Sequence, residues 1–254
     1  MTSFRNTIQI KFIFCLLLAV SLFPSCRTIT RTSDDLGIAP STVIFSFDDG
    51  PNSIDDTTAR VLDVLKKYEI RALFSLLGVN VEANPDLVRR IYDEGHYIIN
   101  HGYANKWVRV MGRDEFLNNL VMGEAAISAA LGKEFYPKLY RPHGGFYSPW
   151  QEEICRREGY TIASSSIRVY DAILTGADRD KTVKRIIGEI EKKNGGVILL
   201  HDARGSHSHT KKELKRKPNG SFNRSWIPDA LEETIIALQE KGYKLNDSPE
   251  AIFK

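Results

Sequence analysis

The sequence has few cysteines, little excess charge, and a single long apolar run, which lies near its amino terminus. Of 254 residues three are cysteine, and the net charge is +3 at pH 7. That charge is too small to indicate a nucleic-acid partner. No glycine-rich phosphate loop follows the first predicted strand, which argues against a dinucleotide-binding fold. Only Cys26 and Cys155 lie beyond the apolar run, and we expect no disulfide within the chain.

Residues 1–26 have the pattern of an export signal. Arg5 and Lys11 lie before an almost uninterrupted apolar stretch over residues 12–23. This stretch is too short to span a bilayer comfortably and has the length of a signal-peptide core. Ser25 followed by Cys26 resembles a bacterial lipoprotein cleavage site. We therefore expect an exported protein of the cell envelope whose only membrane association is a lipid on Cys26. The alternative is an ordinary signal peptide cut nearby, which would leave the protein secreted or periplasmic.

The chain beyond the signal is long enough for one domain with a full core. Residues 27–41 are polar, rich in Thr and Ser, and without periodicity, so we predict a flexible tether there. Over residues 42–254, short apolar runs alternate with segments of helical spacing. The runs predicted as strands are Val43–Phe47, Arg71–Leu77, Tyr97–Asn100, Lys138–Tyr140, Thr161–Ser165, Gly196–Leu200 and Tyr243–Leu245.

Helical segments separate most of these strands. The predicted helices are Thr57–Glu69, Pro85–Glu94, Arg113–Leu131, Pro149–Glu158, Asp180–Lys193 and Pro228–Glu240. Short apolar strands alternating with helices are typical of a parallel sheet that is buried on both faces. Right-handed crossovers would curl such strands into a barrel or an open doubly wound sheet. For seven units of this size we predict the α/β class and a distorted, incomplete (β/α) barrel of about seven parallel strands.

Polar residues with catalytic or metal-binding chemistry follow several of the predicted strands. They are Asp48, Asp49, His101, Asn105, Arg141, Asp171 and His201. In a parallel α/β fold the carboxyl ends of the strands gather on one face, where several strands together supply the catalytic residues. The sequence therefore predicts a hydrolytic site of carboxylates and imidazoles that are scattered along the chain and assembled in space.

Three of these residues form a candidate metal-binding set. His101 and Asn105 are four residues apart, which on a helical turn places both on one side. Together with Asp49 they would leave coordination positions open for water, as a catalytic metal requires. Asp48 would then face the substrate, because adjacent side chains on an extended backbone point in opposite directions. The alternative is that the two aspartates simply begin an Asp-Asp-Gly-Pro turn.

The remaining polar residues suit acid–base chemistry. Arg141 beside Asp48 would keep that carboxylate ionised and oriented. His201 could act as a general acid opposite the base, and Asp171 could hold and charge its imidazole. Gly144, in the loop that follows Arg141, would allow a backbone N–H to approach a ligand closely.

A basic loop interrupts the regular pattern after His201. Five Lys and Arg residues crowd residues 211–217, and His207 and His209 lie just before them. Such a run is most often a solvated surface loop. The alternative is a rim of the site that attracts anionic glycans or a membrane surface.

Five motifs, in order along the chain, resemble those of the polysaccharide deacetylases, the NodB-homology domain of carbohydrate esterases. They are SFDDGPN (46–52), NHGYAN (100–105), YRPHGG (140–145), VYDA (169–172) and VILLHD (197–202). The resemblance extends from about residue 42 to residue 245. It implies a distorted (β/α) barrel, with residues 42–254 as the catalytic domain. It also implies removal of N- or O-acetyl groups from sugars with a divalent metal, zinc or else cobalt or nickel.

The resemblance assigns the base and the metal ligands. Asp48 is the implied general base, and Arg141 is implied to orient it. Asp49 and His101 are implied metal ligands. Asn105 occupies the position of the third ligand, where the family usually has a second histidine.

The resemblance also assigns the acid and the acetyl pocket. His201 is the implied general acid, assisted by Asp171. Leu199 would help to form the wall around the acetyl methyl group, and a backbone N–H at Gly144 would bind the oxyanion.

Three positions besides Asn105 depart from the family pattern. His143 stands where a proline is common. Arg168 and Ala172 stand in place of the Asp and the Trp that usually surround Asp171. We expect an N-acetylated polysaccharide as the partner, with peptidoglycan the leading substrate. The alternatives are a non-catalytic glycan-binding module with a degraded metal site at Asn105, and a hydrolase for a non-sugar amide.

Overall fold

The computed structural model describes residues 26–203 and 223–245. The predicted signal core, the basic stretch at 211–217 with His207 and His209, and the last residues of the chain lie outside the described residues. Within the described part, no helix has both the length and the apolar character that a membrane crossing needs.

A parallel sheet of seven strands forms the centre of the domain, and a two-stranded antiparallel sheet lies beside it. The strands, in chain order, are β1 (Arg27–Thr28), β2 (Thr42–Gly50), β3 (Leu73–Leu76), β4 (Tyr97–Asn100), β5 (Leu139–Tyr140), β6 (Phe146–Tyr147), β7 (Thr161–Ile162), β8 (Ile167–Arg168) and β9 (Gly195–His201). The order in the large sheet is β7-β5-β4-β3-β2-β9-β8, and β1 pairs with β6. Every strand pair in the large sheet is parallel.

Within residues 26–203 and 223–245, seven α-helices connect and cover the strands. They are α1 (Thr57–Lys67), α2 (Gly78–Ala83), α3 (Pro85–Asp93), α4 (Arg113–Leu131), α5 (Pro149–Arg157), α6 (Arg179–Lys193) and α7 (Ile227–Glu240). Short 3-10 turns occur at Ile54–Asp56, Val108–Val110, His143–Gly145, Asp171–Ile173 and Gly176–Asp178. The predicted incomplete (β/α) barrel of about seven parallel strands is confirmed.

Strand β2 runs through the middle of the core, and all nine of its residues are buried. Side chains of a strand alternate between the two faces of the sheet. Phe45 and Phe47 belong to the large apolar cluster, whereas Ile44 belongs to a second, smaller cluster. The face of Ile44 becomes polar toward the carboxyl end of the strand, at Ser46 and Asp48. One strand therefore stabilises the core with its first half and presents a carboxylate with its second half.

The seventh strand of the sheet is not the one that the sequence pattern predicts. The stretch Tyr243–Leu245 contributes only a single bridge, between Lys244 and Thr42. Its place is taken by β8, which pairs with β9. Strand β8 has only two residues, so it carries no alternation that could be detected in the sequence.

The structure also differs from the predicted flexible tether at residues 27–41. Strand β1 in this segment pairs with β6. The side chains of Ile29 and Ile38 are 1% and 6% exposed, so the segment packs on the domain. Two isolated isoleucines in a Thr- and Ser-rich stretch have no periodicity, and for that reason the composition suggested a tether.

Candidate active site

The sheet brings four of the predicted polar segments to its carboxyl edge. Asp48 lies opposite His201 in the pairing of β2 with β9. His101 directly follows β4 and Arg141 directly follows β5, and these two strands pair through Asn100 and Tyr140. Residues separated by up to 153 positions along the chain therefore become neighbours, because parallel strands end at the same edge.

Asp48 and Arg141 form a buried ion pair. Arg141 Nη1 lies 2.5 Å from Asp48 Oδ1, and the Arg141 side chain is 0% exposed. The same nitrogen donates to Ser46 Oγ at 2.6 Å. A buried guanidinium this close to a carboxylate offsets its charge and restricts its orientation. The pair thus supplies a carboxylate of fixed orientation, which is what a general base needs.

Asp49 adopts an unusual backbone conformation that turns its carboxylate toward Asp48's side of the strand. Its φ is +74°, a value that residues other than glycine rarely adopt. The pairing of β2 with β3 shifts register between Asp48 and Gly50. As a result His101 Nε2 lies 3.9 Å from Asp48 Oδ2 and 3.5 Å from Asp49 Oδ1. The expectation that the two carboxylates point in opposite directions is therefore wrong, because the backbone is not extended at Asp49.

His101 is held in an orientation that suits a metal ligand. Its Nδ1 lies 2.7 Å from the backbone oxygen of Arg141. A carbonyl oxygen only accepts hydrogen bonds, so Nδ1 carries a proton, and Nε2 is the nitrogen that faces Asp48 and Asp49. Burial disfavours the charged imidazole, but the carboxylates of Asp48 and Asp49 outweigh burial and raise the pKa of His101.

Asp49, His101 and His143 form a cluster with the chemistry of a metal site. One ligand atom from each lies within 4.8 Å of the other two. His143 Nδ1 is 3.8 Å from Asp49 Oδ1, is buried, and has no hydrogen-bond partner among the described residues. Burial lowers the pKa of His143 to about 4, so its imidazole is neutral and able to bind a metal. One carboxylate and two imidazoles suit zinc and related divalent ions, and the residues present therefore fit such a group.

His143 was not predicted as a ligand from the sequence. It was noted only as a departure from the family pattern, because its partners are more than 40 positions away and no local spacing links them. Asn105, which was predicted, is half-buried in the loop between β4 and α4. Its role as a metal ligand stays a prediction.

His201 and Asp171 form the second charged pair of the site. His201 Nδ1 lies 2.9 Å from Asp171 Oδ1, and the backbone N–H of His201 donates to Asp171 Oδ2 at 2.8 Å. Burial opposes the imidazolium, but the charge of the fully buried Asp171 outweighs it and raises the pKa of His201 to about 9. At neutral pH His201 is therefore protonated, and its Nε2 is available as a proton donor.

Arg224 supports this pair and was not predicted from the sequence. Its side chain is 1% exposed, and Nη1 and Nη2 donate to the backbone oxygens of Asp171 and Ala172 at 2.8 and 2.6 Å. The guanidinium therefore connects the segment before α7 to the turn that carries Asp171. In the sequence Arg224 stands at the end of a long polar stretch, which gave no signal of this contact.

Gly144 and Leu199 lie next to site residues along the chain. Gly144 follows His143 and has a φ of +81°, a conformation that favours glycine. Leu199 is 4% exposed, packs with Ile29 and Tyr147, and lies two residues before His201 on β9. The oxyanion role of Gly144 and the pocket role of Leu199 stay predictions.

Asp202 lies behind the carboxylate turn and is completely buried. Its Oδ2 accepts a hydrogen bond from Thr58 Oγ1 at 2.5 Å. A Cβ atom on Gly50 would lie 2.8 Å from both carboxyl oxygens of Asp202, so only glycine fits there. Burial raises the pKa of Asp202 to about 7. This carboxyl group therefore packs directly under the turn that positions Asp49.

Comparisons with known proteins all indicate the same family. A family model described as polysaccharide deacetylase matches residues 38–163. Two peptidoglycan N-acetylglucosamine deacetylases of Bacillus cereus are each 30% identical, one over 82% of this chain and 66% of its own length, the other over 80% and 84%. The chain thus spans just under two thirds of the length of the first relative.

Solved structures agree with this result. The crystal structure of the Bc1960 peptidoglycan N-acetylglucosamine deacetylase superposes with a TM-score of 0.68 at 29% identity, over 84% of this chain and 88% of the other. The ordered motifs, the sheet and these relatives together show that the chain belongs to the polysaccharide deacetylase family, a family of hydrolases.

Proposed function

We propose that this protein is a metal-dependent deacetylase that hydrolyses N-acetyl groups on the amino sugars of a cell-envelope or extracellular polysaccharide, with peptidoglycan as the leading substrate. The observation that carries the proposal is that two ion pairs lie at one site: Asp48 is paired with Arg141, and His201 is kept protonated by Asp171. Amide hydrolysis needs a base for water and an acid for the leaving amine at the same site. The named relatives act on N-acetylglucosamine in peptidoglycan, which supports this substrate class.

Asp49, His101 and His143 would hold the metal, with His143 in the third position in place of Asn105. When bound there, a divalent ion supplies Lewis acidity that polarises the acetyl carbonyl and lowers the pKa of water. The unpartnered, neutral Nδ1 of His143 supports this assignment, since a buried nitrogen without a hydrogen bond is costly unless another ligand occupies it.

The reaction uses the two charged pairs in sequence. Asp48 accepts a proton from the attacking water while a C–O bond forms to the acetyl carbon. A backbone N–H at Gly144 donates to the resulting oxyanion. His201 Nε2 then gives its proton to the amide nitrogen as the C–N bond breaks. The products are acetate and the free amino sugar, and Asp171 stabilises the imidazolium before the proton leaves.

A glycan-binding module without catalysis is the alternative function. It is motivated by Asn105, Arg168 and Ala172, three of the four positions that depart from the family pattern. The intact contacts of Asp48 with Arg141 and of His201 with Asp171 favour catalysis, since a binding module has no need of a prepared acid and base.

The location of the protein remains a proposal from the sequence alone. An export signal over residues 1–26 and a lipid on Cys26 would place the domain at the cell envelope, where its glycan substrate is found.

Asp48→Asn tests the proposed function. The amide has nearly the same shape but cannot accept the water proton, so we expect acetate release from peptidoglycan fragments or N-acetylglucosamine oligomers to fall about 100-fold or more. The matched control is Asp93→Asn, at an exposed position at the end of α3, which should leave the rate unchanged. Metal content and thermal melting of the variant establish that the site and the fold remain. Unchanged turnover in Asp48→Asn would disprove its role as the base.

A further inference from the structure

Two arginines and a tyrosine form a cationic surface next to the site, which we call the arginine patch (Arg168, Tyr170 and Arg185). Arg168 Cζ lies 5.8 Å and Arg185 Cζ 5.5 Å from the centroid of the Tyr170 ring. Tyr170 is 46% exposed, and Arg185 on α6 is exposed as well. Cation–π contacts of this length keep both guanidiniums near the same ring, although they repel each other. The patch therefore holds two positive charges, with Arg185 and Tyr170 exposed and Arg168 half-buried.

The arginine patch adjoins the proposed catalytic residues on two sides. Tyr170 directly precedes Asp171, the partner of His201. On the other side, Arg168 Nη2 donates to the backbone oxygen of Gly144 at 3.4 Å, in the turn that carries His143. The packing there is tight, because a Cβ on Gly145 would lie 2.8 Å from Arg168 Nη1. The arginine patch is therefore continuous with both the Asp171 turn and the turn that carries His143.

The charges of the arginine patch have no carboxylate partner among the ion pairs of the described residues. Arg179 on the same helix as Arg185 shows the contrast, since it pairs with Asp180 and Glu233. Arg168 also stands where the family pattern has an aspartate, which changes the local charge by two. Guanidinium groups offer planar pairs of donors that match the geometry of a carboxylate. These features together favour an anionic ligand at this place.

We propose that the arginine patch is a subsite for a carboxylate group of the substrate, so that the preferred substrate is an acidic N-acetylated glycan and not a neutral one. This inference rests on the proposed deacetylase function and deepens it. The carboxylate can come from the lactyl ether of a muramic acid residue or from a uronic acid beside the acetylated sugar. Both present the same planar anion, and separate substrates distinguish them.

The test compares the full chain with Arg168→Gln and Arg185→Gln on three substrates. These are peptidoglycan glycan strands freed of their stem peptides, hyaluronan oligosaccharides, and neutral chitooligosaccharides. We expect each substitution to raise KM about tenfold for a carboxylated substrate, with kcat little changed and KM for chitooligosaccharides unchanged. A rise in KM that is confined to the peptidoglycan glycan strands identifies the lactyl carboxylate. A rise in KM that is confined to hyaluronan identifies the uronic acid. Arg156→Gln, at an exposed arginine of α5, is the matched control.

Two results would overturn the inference. One is an unchanged KM for both carboxylated substrates in both variants. The other is an equal rise in KM for neutral and carboxylated substrates, which would mean that the arginines only support the fold. Arg185→Gln covers the case in which Arg168→Gln fails to fold, because Arg185 is exposed on a helix.

Binding measurements separate this inference from the proposed function. If the wild-type protein releases acetate from none of these glycans, the deacetylase proposal fails. Calorimetric binding of the same oligosaccharides then decides the inference without turnover. Affinity for carboxylated oligosaccharides that falls about tenfold in Arg168→Gln supports the subsite, and affinity that does not change refutes it.

Discussion

Replacing Asp171 by asparagine should shift the alkaline limit of activity by a predictable amount. The pKa of His201 lies at about 9 instead of 6.5, which corresponds to about 3 kcal/mol in favour of the imidazolium. Burial works against this charge, and the negative charge of Asp171 is the main opposing cause. The asparagine side chain would keep the shape but remove the charge. The pKa of His201 should therefore fall toward its ordinary value of 6.5, because burial is then opposed only by the weaker effects of Asp49 and Asp48.

The direction of the effect follows from the role of His201. As the general acid it must carry its proton, so activity is lost as the pH rises through its pKa. The wild-type kcat should decline near pH 9, and that of Asp171→Asn near pH 7 or below, which makes the variant almost inactive at pH 8 but partly active at pH 6. The assay is acetate release at saturating substrate from pH 5.5 to 10, with metal content measured in parallel. An alkaline limit that stays near pH 9 in the variant would refute the assignment of Asp171 and His201.

Three further substitutions test other parts of the site. Asn105→His should change zinc affinity less than about threefold by competition titration if His143 already provides the third ligand, whereas a gain of tenfold or more would favour a degraded site at Asn105. Arg141→Met leaves the carboxylate of Asp48 buried without its partner and should lower the free energy of unfolding by about 3–5 kcal/mol in urea, and a loss below 1 kcal/mol would contradict the buried pair. Asp202→Asn should remove a pH dependence of stability. The pKa of Asp202 is about 7 in the folded protein and 3.8 ordinarily, so the folded protein binds this proton more tightly. The free energy of unfolding of the wild type should therefore fall by up to about 4 kcal/mol as the pH rises from 4 to 7. Urea unfolding of the variant should give a flatter curve over that interval, and identical curves would show that Asp202 does not titrate as described.

The parts of the fold with long apolar runs could be predicted from the sequence. Strand β2 carries Val43 to Phe47 in succession, and β9 carries four apolar residues, so both strands and the polar residues after them were evident. Strand β8 could not be found, because two residues give no period. The packing of Ile29 depends on the distant Tyr147, and nothing near Ile29 in the sequence indicates that contact.

The candidate site shows the same division between local and distant information. The pairing of His101 with Asn105 was inferred from spacing along one turn, but spacing cannot indicate His143, which reaches Asp49 through the pairing of separate strands. The conformation of Asp49 was also beyond the sequence, because alternation along a strand holds only where the backbone is extended. Arg224 was not predicted for a related reason. Its partners are backbone oxygens, which every residue has, so the pattern of side chains does not indicate the contact.

The most direct test of the account is to measure bound metal and acetate release together in the full chain and in His143→Ala. The protein would be analysed by mass spectrometry for metal, then assayed on N-acetylglucosamine oligomers and peptidoglycan with zinc, cobalt or nickel added back. The account predicts about one divalent ion per chain and release of acetate, with both strongly reduced in His143→Ala. A protein that binds no metal and releases no acetate from any of these glycans would contradict the central claim and favour a glycan-binding module.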